Sequence, residues 1–293
     1  MIPVLSPGDV GAMTATAVRD LASRAVGDKP IATYVEERPM SWSVIEQGGW
    51  DFVGVPESEG GGDATLVDLV TVARVWGESC IPLPFIVSMM TKRWSAEARE
   101  HSGPVTLAVA NVSAPAAGRI PFGRAEKVRV LRSLTGGTAS VDVSAGDEDA
   151  YAVSLPTVDS PWVSELAPEA AVEMAVVWAA EATGCAQRLL DLSVAHAKER
   201  HQFEKPIGSF QSVKHTLASM KVLTEISETA VLWAAVEPSD AARAARWALD
   251  HSLTVAERAI HVHGGMGFTW EMGLHYYMRH ILTLRELVGG LST

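Results

Sequence analysis

The sequence predicts a mainly α-helical protein with one small β region in its middle. Long stretches carry apolar residues at intervals of three and four positions, as amphipathic helices do. Short, valine-rich, partly alternating segments are confined to residues 104–160. Prolines and glycines separate these stretches. The chain therefore divides into a helical domain at 1–103, a reduced β domain at 104–160 and a second helical domain at 161–293.

Length and composition agree with a globular protein that buries a sizeable core. The chain has 293 residues, of which 47% are apolar and 20% charged. A net charge of −11 argues against nucleic acid and anionic membrane as main partners. No basic and apolar leader opens the sequence, and no apolar run reaches the roughly 18 residues of a membrane span. We expect a cytoplasmic protein whose two cysteines, Cys80 and Cys185, are reduced and packed as small hydrophobes, with no metal site.

The first 103 residues read as helices joined by short loops. Asp9 is a plausible N-cap for the first helix, a second starts near Ser41 or Ser43, and a single short helix spans about 85–100. Pro56–Asp63, "PESEGGGD", reads as a flexible loop. The clearest apolar stripe follows that loop and consists of Leu66, Leu69, Val70, Ala73 and Trp76. The β region then holds four to six strands, which is small for an independent domain.

Four long helices with short joints follow, and they predict an antiparallel four-helix bundle. The first begins at Pro168-Glu169, runs to about Lys198 and shows one stripe of mostly small residues. The second follows Phe210 and stops at Pro238. The third is capped by Asp240 and ends at Gly264-Gly265, and the fourth runs from about Trp270 to Leu287.

The joint between the first two helices reads "RHQFEKPIGSFQSVKH", from Arg200 to His215. Its residues leave two interpretations open. It can be a plain connection with an aromatic staple and an exposed arginine. It can also be a clamp for an anion and an aromatic ring, because a guanidinium holds phosphate bidentately and the next helix begins with free N–H groups.

The joint between the last two helices reads "HVHGGMGFTWE", from His261 to Glu271. Its glycines allow positive φ angles or a close backbone approach, and on spacing alone it is a C-cap loop. A metal site at His261 and His263 is disfavoured, because residues two apart on a helix do not share a face. The "SEGGGD" loop lacks the Gly-Lys-Ser/Thr of a phosphate loop, and Cys185 has no pattern of a catalytic nucleophile.

Together these two motifs resemble the C-terminal domain of the acyl-CoA dehydrogenases. The stretch "GWDFVGVPESEGGGDATLVDLVTVARVWGESCIPLP", Gly49–Pro84, is similar to that family's N-terminal helices. The resemblance implies an N-terminal helical domain, a central β domain and a C-terminal four-helix bundle that binds FAD between subunits. It also implies the family's reaction, in which a glutamate removes an α-proton of an acyl-CoA while a β-hydride passes to the flavin.

The resemblance also assigns candidate cofactor contacts by position. Arg200 would lie on the FAD diphosphate, Phe203 and Ile207 beside its adenosine half, and Gln211 close by. His261 stands where the family usually has glutamine. Gly264 and Gly265 would let the backbone reach the cofactor.

The chain departs from the family pattern at the positions of the catalytic glutamate and of the loops that contact the flavin ring. The family's glutamate positions fall on Val288 or Gly289, in the segment after the last predicted helix, and on Met174, one residue after Glu173 on the first bundle helix. The flavin-ring loops of the family are missing from residues 104–160, and Glu204 replaces the usual glycine after Phe203. The catalytic residue is therefore unknown from the sequence.

These features are similar to the degenerate subunit of heterotetrameric (α₂β₂) actinobacterial acyl-CoA dehydrogenases of steroid catabolism. We expect a second acyl-CoA dehydrogenase-like subunit that carries the base, a shared FAD and a bulky acyl-CoA substrate. Two alternatives stay open. One is a self-sufficient homomeric enzyme with Glu173 or Glu286 as base, and the other is a flavin-free scaffold for an active partner.

Overall fold

The computed structural model describes residues 5–27, 29–110, 117–121, 128–131, 138–139, 155, 157–159 and 163–291. It confirms the mainly helical class with a small β region. The α-helices of the described ranges are α1 (Asp9–Val26), α2 (Trp42–Gln47), α3 (Leu66–Ser79), α4 (Phe85–Trp94), α5 (Ala96–Glu100), α6 (Pro168–Glu199), α7 (Gln211–Val236), α8 (Ala241–His263) and α9 (Leu274–Gly290).

Asp68 organises the first helices. Thr65 and Asp68 form a reciprocal capping box at the start of α3, and the Asp68 carboxylate also accepts a hydrogen bond from the Gly8 N–H at 2.7 Å. The predicted cap at Asp9 is wrong: Gly8 is the N-cap of α1, with no side-chain cap. Asp68 on α3 thus takes over a role that the sequence suggested for Asp9, because α1 packs against α3.

The loop at Pro56–Asp63 is largely exposed, and the Asp63 N–H donates to the Val55 carbonyl at 2.9 Å, while a Cβ on Gly61 would lie 2.1 Å from that oxygen. One other local prediction for this region needs correction. The expected single helix over 85–100 is two helices. Ser95 breaks it, adopts an extended conformation and caps α5 by accepting from the Ala98 N–H.

The β region consists of short strands. Within the described residues they are β1 (Val105–Leu107), β2 (Val109–Ala110), β3 (Ala117–Arg119), β4 (Arg129–Leu131), β5 (Thr138–Ala139) and β6 (Thr157–Asp159). They form two sheets with orders β1-β4-β5 and β2-β3-β6, in which only β1 and β4 pair in parallel among the described strands. Most of the predicted strand segments "TASVDVSA" and "AYAVSLP" lie outside the described residues.

The central element of the molecule is α6, which packs against α3, α7, α8 and α9. The prediction of a single buried stripe on α6 is wrong, because every residue from Met174 to Ala186 is buried. Glycines at the crossing of α3 and α6 allow the two backbones to approach each other closely. A Cβ on Gly77 would lie 2.0 Å from the Glu181 carbonyl oxygen, and one on Gly184 would lie 1.9 Å from the Arg74 carbonyl oxygen.

The bundle helices begin and end close to the predicted positions, with two exceptions. Asp240 is the N-cap of α8 by position but makes no side-chain cap, and its carboxylate pairs with Arg243 instead. The last helix, α9, begins at Leu274 instead of Trp270, after Gly273 with a φ of 67°. A short hairpin between α6 and α7 consists of β7 (His201–Gln202) and β8 (Lys205–Pro206).

One hydrophobic core extends from Val18 on α1 to Leu284 on α9 and includes both helical regions. The division at 103/104 and 160/161 stays a prediction. In the part of the chain that the structure describes, no helix is both long and apolar enough to cross a membrane. The cytoplasmic location also remains a prediction.

Candidate cofactor site at one end of the bundle

The motif that begins at Arg200 and the glycine-rich motif that begins at His261 lie close together at one end of the bundle. We call residues Arg200–Gln211 together with His261–Gly267 the clamp end. The His196 ring on α6 stacks on the His263 ring on α8 at a centroid distance of 4.3 Å, so the C-terminal ends of these two helices lie side by side. The structure therefore brings together two motifs that are about 50 residues apart in sequence.

Both backbone polar groups of Arg200 form hydrogen bonds, whereas its side chain is exposed. Its N–H donates to the His196 carbonyl at 2.8 Å, and its carbonyl accepts from the Ile207 N–H at 2.7 Å. These bonds end α6 and fix the start of the hairpin. The guanidinium is exposed, and no described residue forms a hydrogen bond or ion pair with it. It is available to an anionic ligand.

Phe203 and Glu204 form the two-residue turn of the hairpin, with φ angles of 51° and 67°. Such a turn normally favours glycine or asparagine, so both residues are held in a strained conformation. Phe203 is 86% exposed and makes an edge-to-face contact with Phe210 at 6.1 Å. The hairpin thus presents an aromatic ring to the outside, next to Arg200 and the half-buried Ile207.

Gln211 is the first residue of α7 and is exposed. No side chain caps this end of α7, so the N–H groups of its first turn lack intrahelical partners. The positive end of the helix dipole lies there. The arrangement provides donors and positive potential beside the hairpin that carries Phe203.

The second motif lies open to solvent at the end of α8. His261 is exposed and lines a groove of about 450 Å³ with His215, Arg258 and three other residues of α7 and α8. Gly264 has a φ of 60°, and a Cβ on Gly264 or Gly265 would meet no atom within 4 Å. Gly267 differs, because its Cβ would lie 2.5 Å from the Ile260 carbonyl oxygen. Gly264 and Gly265 therefore leave room for a ligand against the backbone, and Gly267 serves packing.

The pKa values of the two stacked histidines both lie below the ordinary value of histidine. Burial lowers the pKa of His263 more than its hydrogen bond to the Ala259 carbonyl raises it. Partial burial, with the neighbouring His263 and Arg200, lowers the pKa of His196 as well.

Exposed apolar side chains near the clamp end were missed by the sequence reasoning. Met266 lies among the glycines and is 44% exposed. Phe268 and Trp270 follow Gly267 and are 78% and 64% exposed. Large apolar side chains in a glycine-rich loop are the signal that could have found them. Exposed apolar side chains of this size are of a kind that protein partners or ligands cover.

The carboxylates proposed as bases are engaged elsewhere. Glu173 accepts hydrogen bonds from Arg93 Nε at 3.1 Å and Trp94 Nε1 at 3.0 Å. Glu286 pairs with Arg119 at 2.5 Å, across to the β region. Met174 and Val288, which occupy two of the family's glutamate positions, are fully buried apolar residues. None of these positions presents a free carboxylate.

A sequence model of the acyl-CoA dehydrogenase C-terminal domain matches residues 166–290. The curated protein acyl-CoA dehydrogenase IpdE2 of Mycobacterium tuberculosis is 30% identical over 261 residues, which cover 81% of this chain and 79% of the relative. The chain belongs to the acyl-CoA dehydrogenase family, and it is an oxidoreductase of the acyl-CoA dehydrogenase type.

Solved structures show the same fold. A chain of the ChsE4–ChsE5 complex from Mycobacterium tuberculosis matches with a TM-score of 0.74 and 19% identity over 99% of this chain and 96% of that chain. A chain of the Tcur3481–Tcur3483 steroid acyl-CoA dehydrogenase variant matches with a TM-score of 0.70 and 22% identity over 96% of this chain and 95% of that chain. The family resemblance and the fold class expected from the sequence are thus confirmed.

Proposed function

We propose that this chain is one subunit of a heteromeric acyl-CoA dehydrogenase. It binds part of an FAD at the interface with a second acyl-CoA dehydrogenase-like subunit, and that partner carries the catalytic base. The substrate is a bulky, steroid-derived acyl-CoA thioester. Two structural neighbours support the assembly and the substrate class, since one is a complex of two chains and the other is named a steroid acyl-CoA dehydrogenase.

One observation carries the proposal: the clamp end is open and uncommitted, whereas the candidate carboxylates are bonded to other residues. Arg200 has an exposed guanidinium, and Gly264 and Gly265 have free space above them. Glu173, by contrast, is partly buried and has two donors on its carboxylate. A chain that has cofactor-binding groups but no carboxylate directed at the substrate is expected to supply one half of a site shared between two subunits.

The residues of the clamp end fit the diphosphate and adenosine part of FAD. Arg200 and the N–H groups of the first turn of α7 would neutralise and hold the diphosphate. Phe203 would stack on the adenine, and Gln211 and His261 would supply polar contacts at the edge. Gly264 and Gly265 would let the chain approach without a steric clash. When bound, FAD supplies the acceptor for the substrate hydride.

Glu173 is a poor base for this reaction. A catalytic carboxylate must reach the proton that it removes, and its pKa must suit the task. The Glu173 carboxylate accepts hydrogen bonds from Arg93 and Trp94, so it is directed at these side chains and not at a substrate. Glu286 is more accessible, but it pairs with Arg119. Neither candidate base of the homomeric alternative is therefore well placed.

Purification of the chain alone and together with a genetically neighbouring acyl-CoA dehydrogenase-like subunit tests the proposal. We expect FAD and acyl-CoA oxidation only in the pair. Glu173→Gln and Glu286→Gln in this chain should leave kcat within about twofold, because the base lies on the partner. An isolated chain with stoichiometric FAD and full activity would show that it is self-sufficient. If substitutions at the clamp end change neither the activity nor the FAD content of the pair, this chain is better described as a flavin-free scaffold for its partner.

A further inference from the structure

Two cysteines and a histidine converge in the interior from three different helices. Cys80 is the C-cap of α3, Cys185 lies in the middle of α6, and His280 lies on α9. One ligand atom from each residue lies within 4.8 Å of the others, and all three residues are buried. Cys185 is about 22 Å along the helix axis from Arg200, so the cluster is separate from the clamp end.

These donor types suit a transition-metal ion such as Zn²⁺. Thiolate sulfur binds zinc at about 2.3 Å and imidazole nitrogen at about 2.0 Å. Donors that share one tetrahedral ion therefore lie roughly 3.3–3.8 Å apart, which rotamer changes of about 1 Å can reach from the observed spacing. Buried sulfur and nitrogen donors favour zinc over magnesium or calcium, which prefer oxygen.

A buried carboxylate completes the surroundings of the cluster. Glu181 is 2% exposed, and its Oε1 lies 2.9 Å from His280 Nε2. Its second oxygen, Oε2, is buried and has no hydrogen-bond partner among the described residues. Histidines that bind metal ions commonly donate their other N–H to a carboxylate, which fixes the ring and its tautomer. Glu181 is placed to do this, and a cation nearby would also offset the charge of its unpaired oxygen.

The buried Cys185 thiol favours its protonated form. Burial raises the pKa of Cys185, and its Sγ lies 3.2 Å from the Gly77 carbonyl oxygen as a hydrogen-bond donor. A bound divalent ion would take the place of both S–H protons, which pass to solvent, and the two thiolates would balance its charge. Cys80 has a φ of 48°, an unusual conformation for a residue with a side chain.

We propose that Cys80, Cys185 and His280 form a structural site for Zn²⁺ or a similar ion, with Glu181 as a positioning residue for His280. The ion would join the end of α3 to α6 and α9 and so fasten the N-terminal helices to the bundle. The site is independent of the proposed function, because it does not contact the clamp end.

The test is the metal content of the full chain, purified with its partner from a zinc-supplemented culture. Elemental mass spectrometry should find about one zinc ion per chain. Cys80→Ser and Cys185→Ser should each lose it, while His251→Gln, on the surface of α8, should retain it. Replacement by Co²⁺ should give sulfur-to-cobalt charge-transfer and tetrahedral d–d bands.

Wild-type protein without zinc and without these cobalt bands would overturn the proposal, and this outcome does not depend on how any variant folds. Zinc retained in Cys80→Ser would overturn it as well. A disulfide between Cys80 and Cys185 in the native protein would also contradict the site, because the sulfurs would then be unavailable as thiolates.

Discussion

The two ends of α6 have opposite characters. Every residue from Met174 to Ala186 is buried. Glu181 within this segment contacts His280, and the partly buried Glu173 just before it contacts Arg93. The end at Arg200 is exposed, beside an outward-pointing Phe203 and the free space over Gly264. One helix is thus packed into the core along one half and exposed to solvent at its other end. In the proposed function, the exposed end contributes to cofactor binding, and the carboxylates of the other half make structural contacts.

The largest expected effect lies at a buried ion pair in the interior. Lys92 Nζ lies 2.5 Å from Asp51 Oδ2, and both side chains are 1% exposed. Lys92→Met leaves the Asp51 charge buried without its partner and should lower the free energy of unfolding by about 3–5 kcal/mol. Lys221→Met is the control, because Lys221 pairs with Glu225 on the surface and should cost less than about 0.5 kcal/mol. Urea unfolding measures both, and equal effects would contradict this picture of the interior.

The next largest effect concerns the crossing of α3 and α6. Gly184→Ala brings a methyl group against the Arg74 carbonyl and should cost about 1–3 kcal/mol, or roughly 2–12 °C in Tm. Gly265→Ala is the matched change at the open end, where a methyl group meets no atom. Calorimetry should find its Tm nearly unchanged. A large loss of Tm in Gly265→Ala would mean that the clamp end is not open.

A smaller effect of opposite sign is expected in the hairpin. Glu204 has a φ of 67°, which glycine adopts without strain. Glu204→Gly should therefore raise the free energy of unfolding by up to about 1 kcal/mol. Glu204→Ala removes the same charge but keeps the Cβ, so it should not stabilise. If alanine and glycine act alike in thermal unfolding, charge and not backbone strain is the cause.

The smallest effect is a pH dependence at the clamp end. The pKa of His196 is lowered below its ordinary value of 6.5, so the unfolded state binds protons first as pH falls. The stabilising effect of the neutral ring is present above pH 6.5 and is lost as pH falls from there toward the lowered folded value. His196→Gln should flatten the fall of Tm between about pH 7 and 5, whereas His251→Gln should not. Identical pH profiles for wild type and His196→Gln would refute this assignment.

The ends of the bundle helices could be predicted from the sequence, because proline and glycine act locally. Pro168, Pro238 and Gly264 mark boundaries that the structure shows at or within a few residues. Caps could not be predicted so well, since Asp240 turns to Arg243 and the capping role near α1 falls to Asp68 on α3. Those choices depend on which helices pack together.

The clamp end could be predicted from the sequence, whereas the buried cysteine and histidine cluster could not. The residues of the clamp end lie in two compact motifs, so their resemblance to a family was visible in the sequence. Cys80, Cys185 and His280 lie in three distant segments with no motif spacing, and only the packing of α3, α6 and α9 brings them together. The burial of α6 on all sides was hidden as well, because Glu181 and Arg188 gave it an amphipathic pattern.

The proposed function requires this chain to hold part of an FAD through Arg200 at an interface with another subunit. The most direct test is the FAD content and FAD affinity of the purified two-subunit complex with Arg200→Ala. Loss of a charge-assisted hydrogen bond to the diphosphate should weaken FAD binding about ten- to hundred-fold. Arg243→Ala, which removes an exposed arginine at the opposite end of α8, should leave FAD affinity unchanged. Equal FAD affinity in the Arg200→Ala, Arg243→Ala and wild-type complexes would contradict the account.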